Sequence, residues 1–181
     1  MQVQETNIQG ALLLTPQVFG DNRGFFLESW NKQALQEVNL ELDFVQDNHA
    51  HSSKGVLRGL HYQLIKPQGR LVRVVSGRVL DVIVDLRQSS NTFGQYYAVE
   101  LSSENHRQLW APPGVAHGYL VLSESVDFLY KTTEYYAPSD EHTIIWNDSI
   151  LNIDWRLNGF QPVLSDKDKQ GVAFVDAMYY K

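Results

Sequence analysis

The chain reads as an all-β protein, an antiparallel sandwich or barrel with few, short helices, in one domain over residues 1–181. Three observations predict this. Roughly ten short runs of alternating apolar and polar residues are separated by Gly, Pro, Asn and Asp clusters every ~8–12 residues, the pattern of strands joined by tight turns. Helical periodicity is confined to one stretch, residues 31–38. A parallel sheet would need helical crossovers, and no stretch supplies them.

In chain order, 11–15 (ALLLT) is a short apolar strand ended by Pro16, and 19–23 (FGDNR) is a turn. Residues 24–30 (GFFLESW) form a strand in which alternation sets Phe26 and Glu28 on one face. The helix at 31–38 takes Asn31 as N-cap and Leu35 and Val38 as its apolar face. Residues 44–52 (FVQDNHAHS) alternate again, Gln46, Asn48 and Ala50 on one side and Asp47, His49 and His51 on the other. Strands at 56–63 and 70–76 follow, joined by a Pro67-Gln68-Gly69 turn; His61 lies inside the first and Arg70 opens the second. The clearest strand is 78–86 (RVLDVIVDL), with Leu80, Val82, Val84 and Leu86 marking one face. Turns at 87–91 and 102–106 bracket a strand at 96–101, and 108–111 leads into Pro112-Pro113-Gly114. Strands at 119–122 and 126–133 come next. Beyond Tyr136 the chain turns polar at 137–142, extended at 144–146, and loop-like at 162–171 (PVLSDKDKQG).

Composition narrows the function. A net charge of −6 argues against a nucleic-acid polymer as partner, although a sugar nucleotide needs only a few placed cations. The chain has no cysteine, so disulfides, thiolate metal sites and a cysteine nucleophile are excluded. The opening MQVQETNIQG lacks a basic segment followed by an apolar core, and no apolar run approaches the ~20 residues that span a bilayer. The expectation is a cytoplasmic protein without a membrane partner.

His49-x-His51 has a spacing that suits a metal ion, and His61 and His117 are further candidate ligands. Cupin-type jelly rolls hold metals with a His-x-His pair and a Glu, followed later by Pro-x-Gly-x-x-His. Pro112-x-Gly114-x-x-His117 is present, but Gln63 stands where the second histidine belongs and residues 64–77 hold no acid. Too few ligands remain for a closed site, so no metal and no other cofactor is expected. No Gly-x-Ser-x-Gly elbow and no glycine-rich phosphate loop occurs. Acid–base chemistry remains, with His61, His117, Tyr130, Tyr136, Asp166 and Asp168 as candidates. Singly, these residues decide nothing. A lone strand histidine is more often scaffold than base, and a tyrosine in an apolar strand is usually core.

Taken together, DNRGFFLE (21–28), FVQDNHAHSSKGVLRGLHYQ (44–63), PQGRLVRVVSGRVLDVIVDLR (67–87), PPGVAHGYLVL (112–122), YKTTEYYAP (130–138) and LSDKD (164–168) resemble the dTDP-4-dehydrorhamnose 3,5-epimerase family. The resemblance spans nearly the whole chain. It implies a cupin-like antiparallel jelly roll, a homodimer, no metal, and a dTDP-sugar substrate. His61 then resembles the base that removes protons from carbons 3 and 5, both flanking a 4-keto group, with Asp168 (or Asp166) as its carboxylate partner. Tyr130 resembles the acid on the opposite face. Arg70 stands where the family commonly has a lysine that stabilises the enolate; the charge is kept and the donor geometry changes. His117 and Tyr136 resemble pocket residues. Arg23, Phe26 and Glu28 resemble a nucleotide-binding set lent by the neighbouring subunit, and Gln46, Asn48 and Arg58 resemble contacts to pyrophosphate and sugar. Strict alternation puts Arg58 and His61 on opposite faces, so sharing a pocket requires a bend or bulge, for which Gly59 is the natural place. A related epimerase that inverts only C3 or C5, and a non-catalytic sugar- or nucleotide-binding module, are the alternatives.

Overall fold

Alternation becomes sheet throughout the computed structural model, which describes residues 1–37 and 40–181. In chain order its elements are β1 (Gln2–Glu5), β2 (Leu12–Thr15), β3 (Val18–Asp21), β4 (Gly24–Leu27), α1 (Lys32–Gln36), β5 (Gln46–Ser53), β6 (Leu57–Gln63), β7 (Arg70–Ser76), β8 (Arg78–Asp85), β9 (Tyr96–Ser102), β10 (Gln108–Ala111), β11 (Val115–Val121), β12 (Ser125–Thr132), β13 (Glu141–Thr143) and α2 (Asp166–Lys169). One sheet runs β1-β2-β10-β7-β12-β5 and a second β13-β6-β11-β8-β9, while β3 and β4 form a separate hairpin. Named strands pair antiparallel throughout. The architecture is a cupin-like jelly roll.

The larger sheets pack face to face. Leu13, Val72, Leu109 and Phe128 of the first sheet meet Val79, Ile83, Leu101 and Tyr119 of the second in one buried cluster. Each fully buried side chain of this size stabilises the fold by about 1.5–3 kcal/mol. Strand β8 also buries its other face: Leu80, Val82 and Val84 pack with Leu151, Trp155 and Phe174 of the C-terminal segment. Burial on both faces explains why this stretch is so strongly apolar. The outer face of the first sheet is covered where Leu14, Leu71 and Trp110 meet Leu35 of α1 and Leu42.

Several boundaries differ from expectation for physical reasons. Residues 19–23 are not a plain turn: they contribute to a hairpin whose turn is Asn22-Arg23, since Asp21 pairs with Gly24. All four β3 residues are exposed, so no inward face marked the strand. The polar, mostly exposed β1 escaped the pattern for the same reason. Strand β11 starts at Val115, earlier than 119, because the small Ala116 and Gly118 hide its alternation. Helix α1 has its expected cap, Asn31 Oδ1 accepting from the Ala34 N–H. Residue 38 of the expected helix lies outside the described residues. Within the expected loop 162–171, Ser165 caps the short helix α2.

Candidate active site

Side chains from both sheets, with Gln68 and Tyr136 from adjoining loops and Lys167 from α2, line a cavity of about 270 Å³, among them Gln46, Asn48, Arg58, His61, Arg70, His117, Tyr130 and Glu141. Strand β6 supplies both Arg58 and His61 because it bulges. Against β11, His117 pairs with His61 but Tyr119 pairs with Arg58, so three β6 steps span two β11 steps. Leu57, Leu60 and Tyr62 therefore all face the outer core while Arg58 and His61 face the cavity. Gly59 sits at the bulge with φ +115, and a Cβ there would lie 2.5 Å from Gly118 Cα and 2.6 Å from the His117 carbonyl oxygen. Only glycine fits.

His61 is tied to a buried carboxylate. Its Nε2–H donates to Asp168 Oδ1 at 2.6 Å, an oxygen that also accepts from the Gly59 N–H at 3.1 Å. The Ser165 hydroxyl donates to Oδ2 at 2.5 Å. Burial pushes the Asp168 carboxyl up, but these donors outweigh it and set the pKa at about 2. Asp168 is thus ionised at neutral pH and accepts the Nε2 proton, which leaves His61 Nδ1 with its lone pair free for a base's work. Asp166, two residues earlier on the same helical turn, points away and pairs with Lys169. Of the two candidate partners, Asp168 is the one that reaches His61.

Arg70 opens β7 on the facing sheet. Its Nη2 donates to Gln68 Oε1 at 3.2 Å and its Nη1 lies 3.4 Å from His117 Nδ1. On the far side of that imidazole, Nε2 is 2.9 Å from Asp81 Oδ2. Burial pushes the Asp81 carboxyl up, and His117 and Arg70 offset this only in part. Burial likewise pulls the Arg70 guanidinium down, with Tyr130 and Glu141 nearby acting against it.

Tyr130 comes from β12, so it lines the cavity from the sheet opposite His61. Glu141 Oε1 lies 3.9 Å from His61 Nδ1, and its Oε2 accepts from the Tyr136 hydroxyl and the Lys167 ammonium, both at 2.8 Å. Burial raises the Glu141 carboxyl, but those donors and His61 hold it below its ordinary range. On β5, Gln46 Nε2 donates to Asn48 Oδ1 at 2.8 Å and Gln46 Oε1 accepts from the Tyr136 N–H at 3.0 Å. Asn48 Nδ2 is a buried donor with no partner among the described residues. Arg58 Nε donates to Ser52 Oγ of β5 at 3.1 Å, which fixes a cation on the wall that carries His61.

Three expected site residues lie elsewhere in the chain. Arg23 is in the exposed β3–β4 turn, paired with Asp21 at 2.5 Å; Phe26 is 68% exposed on β4; Glu28 accepts from Asn31 Nδ2 at 3.0 Å. One chain does not bring them to the cavity. His49 and His51 both contact Asp127 Oδ1, at 2.9 and 3.1 Å, on the exposed side of β5, separate from His61 and His117. Sequence reasoning missed Glu141 and Lys167, in stretches read as polar surface, and Gln68, read as a turn residue. It also missed Asp81, although an acid in the middle of an apolar strand was a usable signal. A cavity with a carboxylate-held imidazole on one wall, a tyrosine on the other and a fixed cation can remove and return a proton beside a carbonyl.

The chain matches the family model described as dTDP-4-dehydrorhamnose 3,5-epimerase over residues 5–176. It is 54% identical to the dTDP-4-dehydrorhamnose 3,5-epimerase of Pseudomonas aeruginosa, across 98% of each chain. Among solved structures it is similar to a dTDP-6-deoxy-D-glucose-3,5-epimerase from Legionella pneumophila in complex with dTDP-4-keto-L-rhamnose. There the TM-score is 0.94 and the identity 47%, covering 98% of this chain and 94% of that one. A 3'-monoepimerase from Streptomyces bikiniensis in complex with dTDP-quinovose is similar at 31% identity and a TM-score of 0.88, covering 94% of this chain and 86% of that one.

Proposed function

The chain belongs to the dTDP-4-dehydrorhamnose 3,5-epimerase family, and on that premise we propose how it works. It is an isomerase that inverts carbons 3 and 5 of dTDP-4-dehydro-6-deoxy-D-glucose, giving dTDP-4-dehydro-L-rhamnose, a step of dTDP-L-rhamnose biosynthesis. The observation that carries this reading is the placement of His61 and Tyr130 on facing sheets across one cavity. Inversion needs a proton taken from one face of a carbon and returned to the other, which two opposed groups supply.

His61 Nδ1 takes the proton from the carbon beside the ketone, and the C–H electron pair moves into the enolate, leaving negative charge on the former carbonyl oxygen. Asp168 stabilises the imidazolium that forms. Arg70 stabilises the enolate oxygen; losing one such donor commonly costs ~3–4 kcal/mol of transition-state stabilisation. Tyr130 then gives its proton to the opposite face, and exchange with solvent resets both groups. The same cycle runs once at each carbon.

Substrate contacts fall to Gln46, Asn48 and Arg58 at the pyrophosphate and sugar, with His117 and Tyr136 lining the pocket. Arg23, Phe26 and Glu28 come from the second subunit of a homodimer. The exposure of Phe19, Phe25 and Phe26 on the hairpin supports that assembly, since a free monomer gains nothing from three solvated rings. The whole chain, residues 1–181, acts as one jelly-roll domain in the cytoplasm, where sugar nucleotides are made. No helix among the described residues is long and apolar enough to cross a membrane.

The test is proton exchange followed by NMR, with the protein and dTDP-4-dehydro-6-deoxy-D-glucose in D₂O. Deuterium is expected at both carbon 3 and carbon 5, with inverted product trapped by a reductase. Deuterium and inversion at a single carbon would replace this reading with a single-site epimerase, and bound substrate without exchange with a binding module.

A further inference from the structure

The cation on the cavity wall is held by neutral acceptors. Arg70 donates to Gln68 Oε1 at 3.2 Å and approaches His117 Nδ1 at 3.4 Å, and among the described residues no carboxylate oxygen lies within 4.0 Å of it. A guanidinium only donates and keeps its proton, so His117 Nδ1 must present its lone pair. The imidazole proton then sits on Nε2 and is donated to Asp81 Oδ2 at 2.9 Å. This fixes one tautomer of His117 and keeps the charge of Asp81 a full ring away from Arg70.

Gln68 is anchored just as firmly. It is buried, and its Nε2–H donates to the Glu134 carbonyl at 2.9 Å, so the amide cannot flip without losing that bond. Its Oε1 is thereby aimed at the guanidinium. Neutral acceptors satisfy N–H groups without cancelling charge, and crowding by protein makes the remaining charge more effective on what enters the cavity.

We propose that Gln68 is a positioning residue for Arg70: together with His117 it aims the guanidinium into the cavity without pairing it to a carboxylate, so that it can meet the oxyanion that develops on the substrate. The lysine common in the family has a compact ammonium on a flexible stem and does not depend on two acceptors at fixed positions. Arginine here calls for such a brace. The inference rests on the epimerase reading above.

A double-mutant cycle tests it, read as kcat and KM for deuterium exchange into dTDP-4-dehydro-6-deoxy-D-glucose. Gln68→Met keeps the side-chain volume and removes both amide contacts; it is expected to lower kcat about tenfold with KM within about twofold. In an Arg70→Lys background the same change is expected to lower kcat by less than about twofold, because the ammonium does not use Gln68. Gln68→Glu keeps an acceptor but cancels the charge, and is expected to lower kcat at least as far as Gln68→Met. Equal losses in the two backgrounds, or full activity in Gln68→Glu, overturn the proposal. If Gln68→Met does not fold, Gln68→Leu in both backgrounds decides in the same way. Absence of exchange in the unaltered protein overturns the epimerase reading and the role of Arg70 with it, whereas exchange intact in the Gln68 variants overturns the positioning role alone.

Discussion

Strand β8 carries two fully buried carboxylates, Asp81 and Asp85, and the chain meets them in opposite ways. Asp85 is closed off. Arg87 reaches it through Nε and Nη2, both at 2.8 Å, and the hydroxyls of Ser90 and Thr92 donate to it at 2.6 Å. Burial pushes this carboxyl up, yet the donors win and hold it at about 2. Asp81 receives one imidazole, with its nearest cation kept beyond that ring, and burial prevails. The first arrangement spends all its electrostatics on pinning the turn after β8 to the sheet. The second leaves a cation facing the cavity unpaired. Charge that is fully compensated builds structure; charge left partly open is available to a substrate.

This contrast can be broken at either end. The largest effect belongs to His61→Ala, which is expected to lower kcat by about 10³-fold or more while calorimetric dTDP binding to the folded variant stays near that of the unaltered protein. Retained turnover above a few per cent would remove His61 from its role as base. Next comes Arg87→Ala, which strands Asp85 and is expected to reduce the unfolding free energy by about 3 kcal/mol while leaving kcat of the folded protein within about twofold. A catalytic loss larger than the stability loss would erase the distinction between the two clusters.

Asp168 sharpens it, being compensated like Asp85 yet placed in the site. Its pKa of about 2 lies below the ordinary 3.8, so its contribution to stability is complete above pH 3.8 and is lost as the pH falls through about 2. Asp168→Asn is therefore expected to lose about 2 kcal/mol at neutral pH and to flatten the acid limb of stability, as read from urea unfolding at about pH 5 and about pH 2.5. An unaltered acid limb would show that ionised Asp168 contributes nothing to folding.

Much of the fold was legible because burial imposes period two. Val79, Asp81 and Ile83 face one way and Leu80, Val82 and Val84 the other, as alternation requires, and Gln46, Asn48 and Ala50 share the cavity face while His49 and His51 share the outer one. Where neither face is buried, as in β3, period two has nothing to act on. The acid–base group was legible through motif blocks and not through periodicity, since His61, Tyr130 and Asp168 come together from distant stretches. Glu141, Lys167 and Gln68 stayed hidden for another reason. Their environments are created by tertiary closure of β13, α2 and the turn before β7, and no local pattern records that a short polar segment folds inward.

The bulge at Gly59 has a further consequence for anyone redesigning this pocket. It sets the parity of the strand: upstream of it even-numbered residues look inward, as Arg58 does, and downstream odd-numbered ones do, as His61 does. Flattening the bulge with every residue kept would exchange the two faces beyond it, burying the imidazole in the outer core and turning Tyr62 toward the substrate. Deleting the extra residue would instead leave Arg58 and His61 on one face by plain alternation. New specificity residues grafted onto β6 must therefore be counted from the bulge and not from the start of the strand.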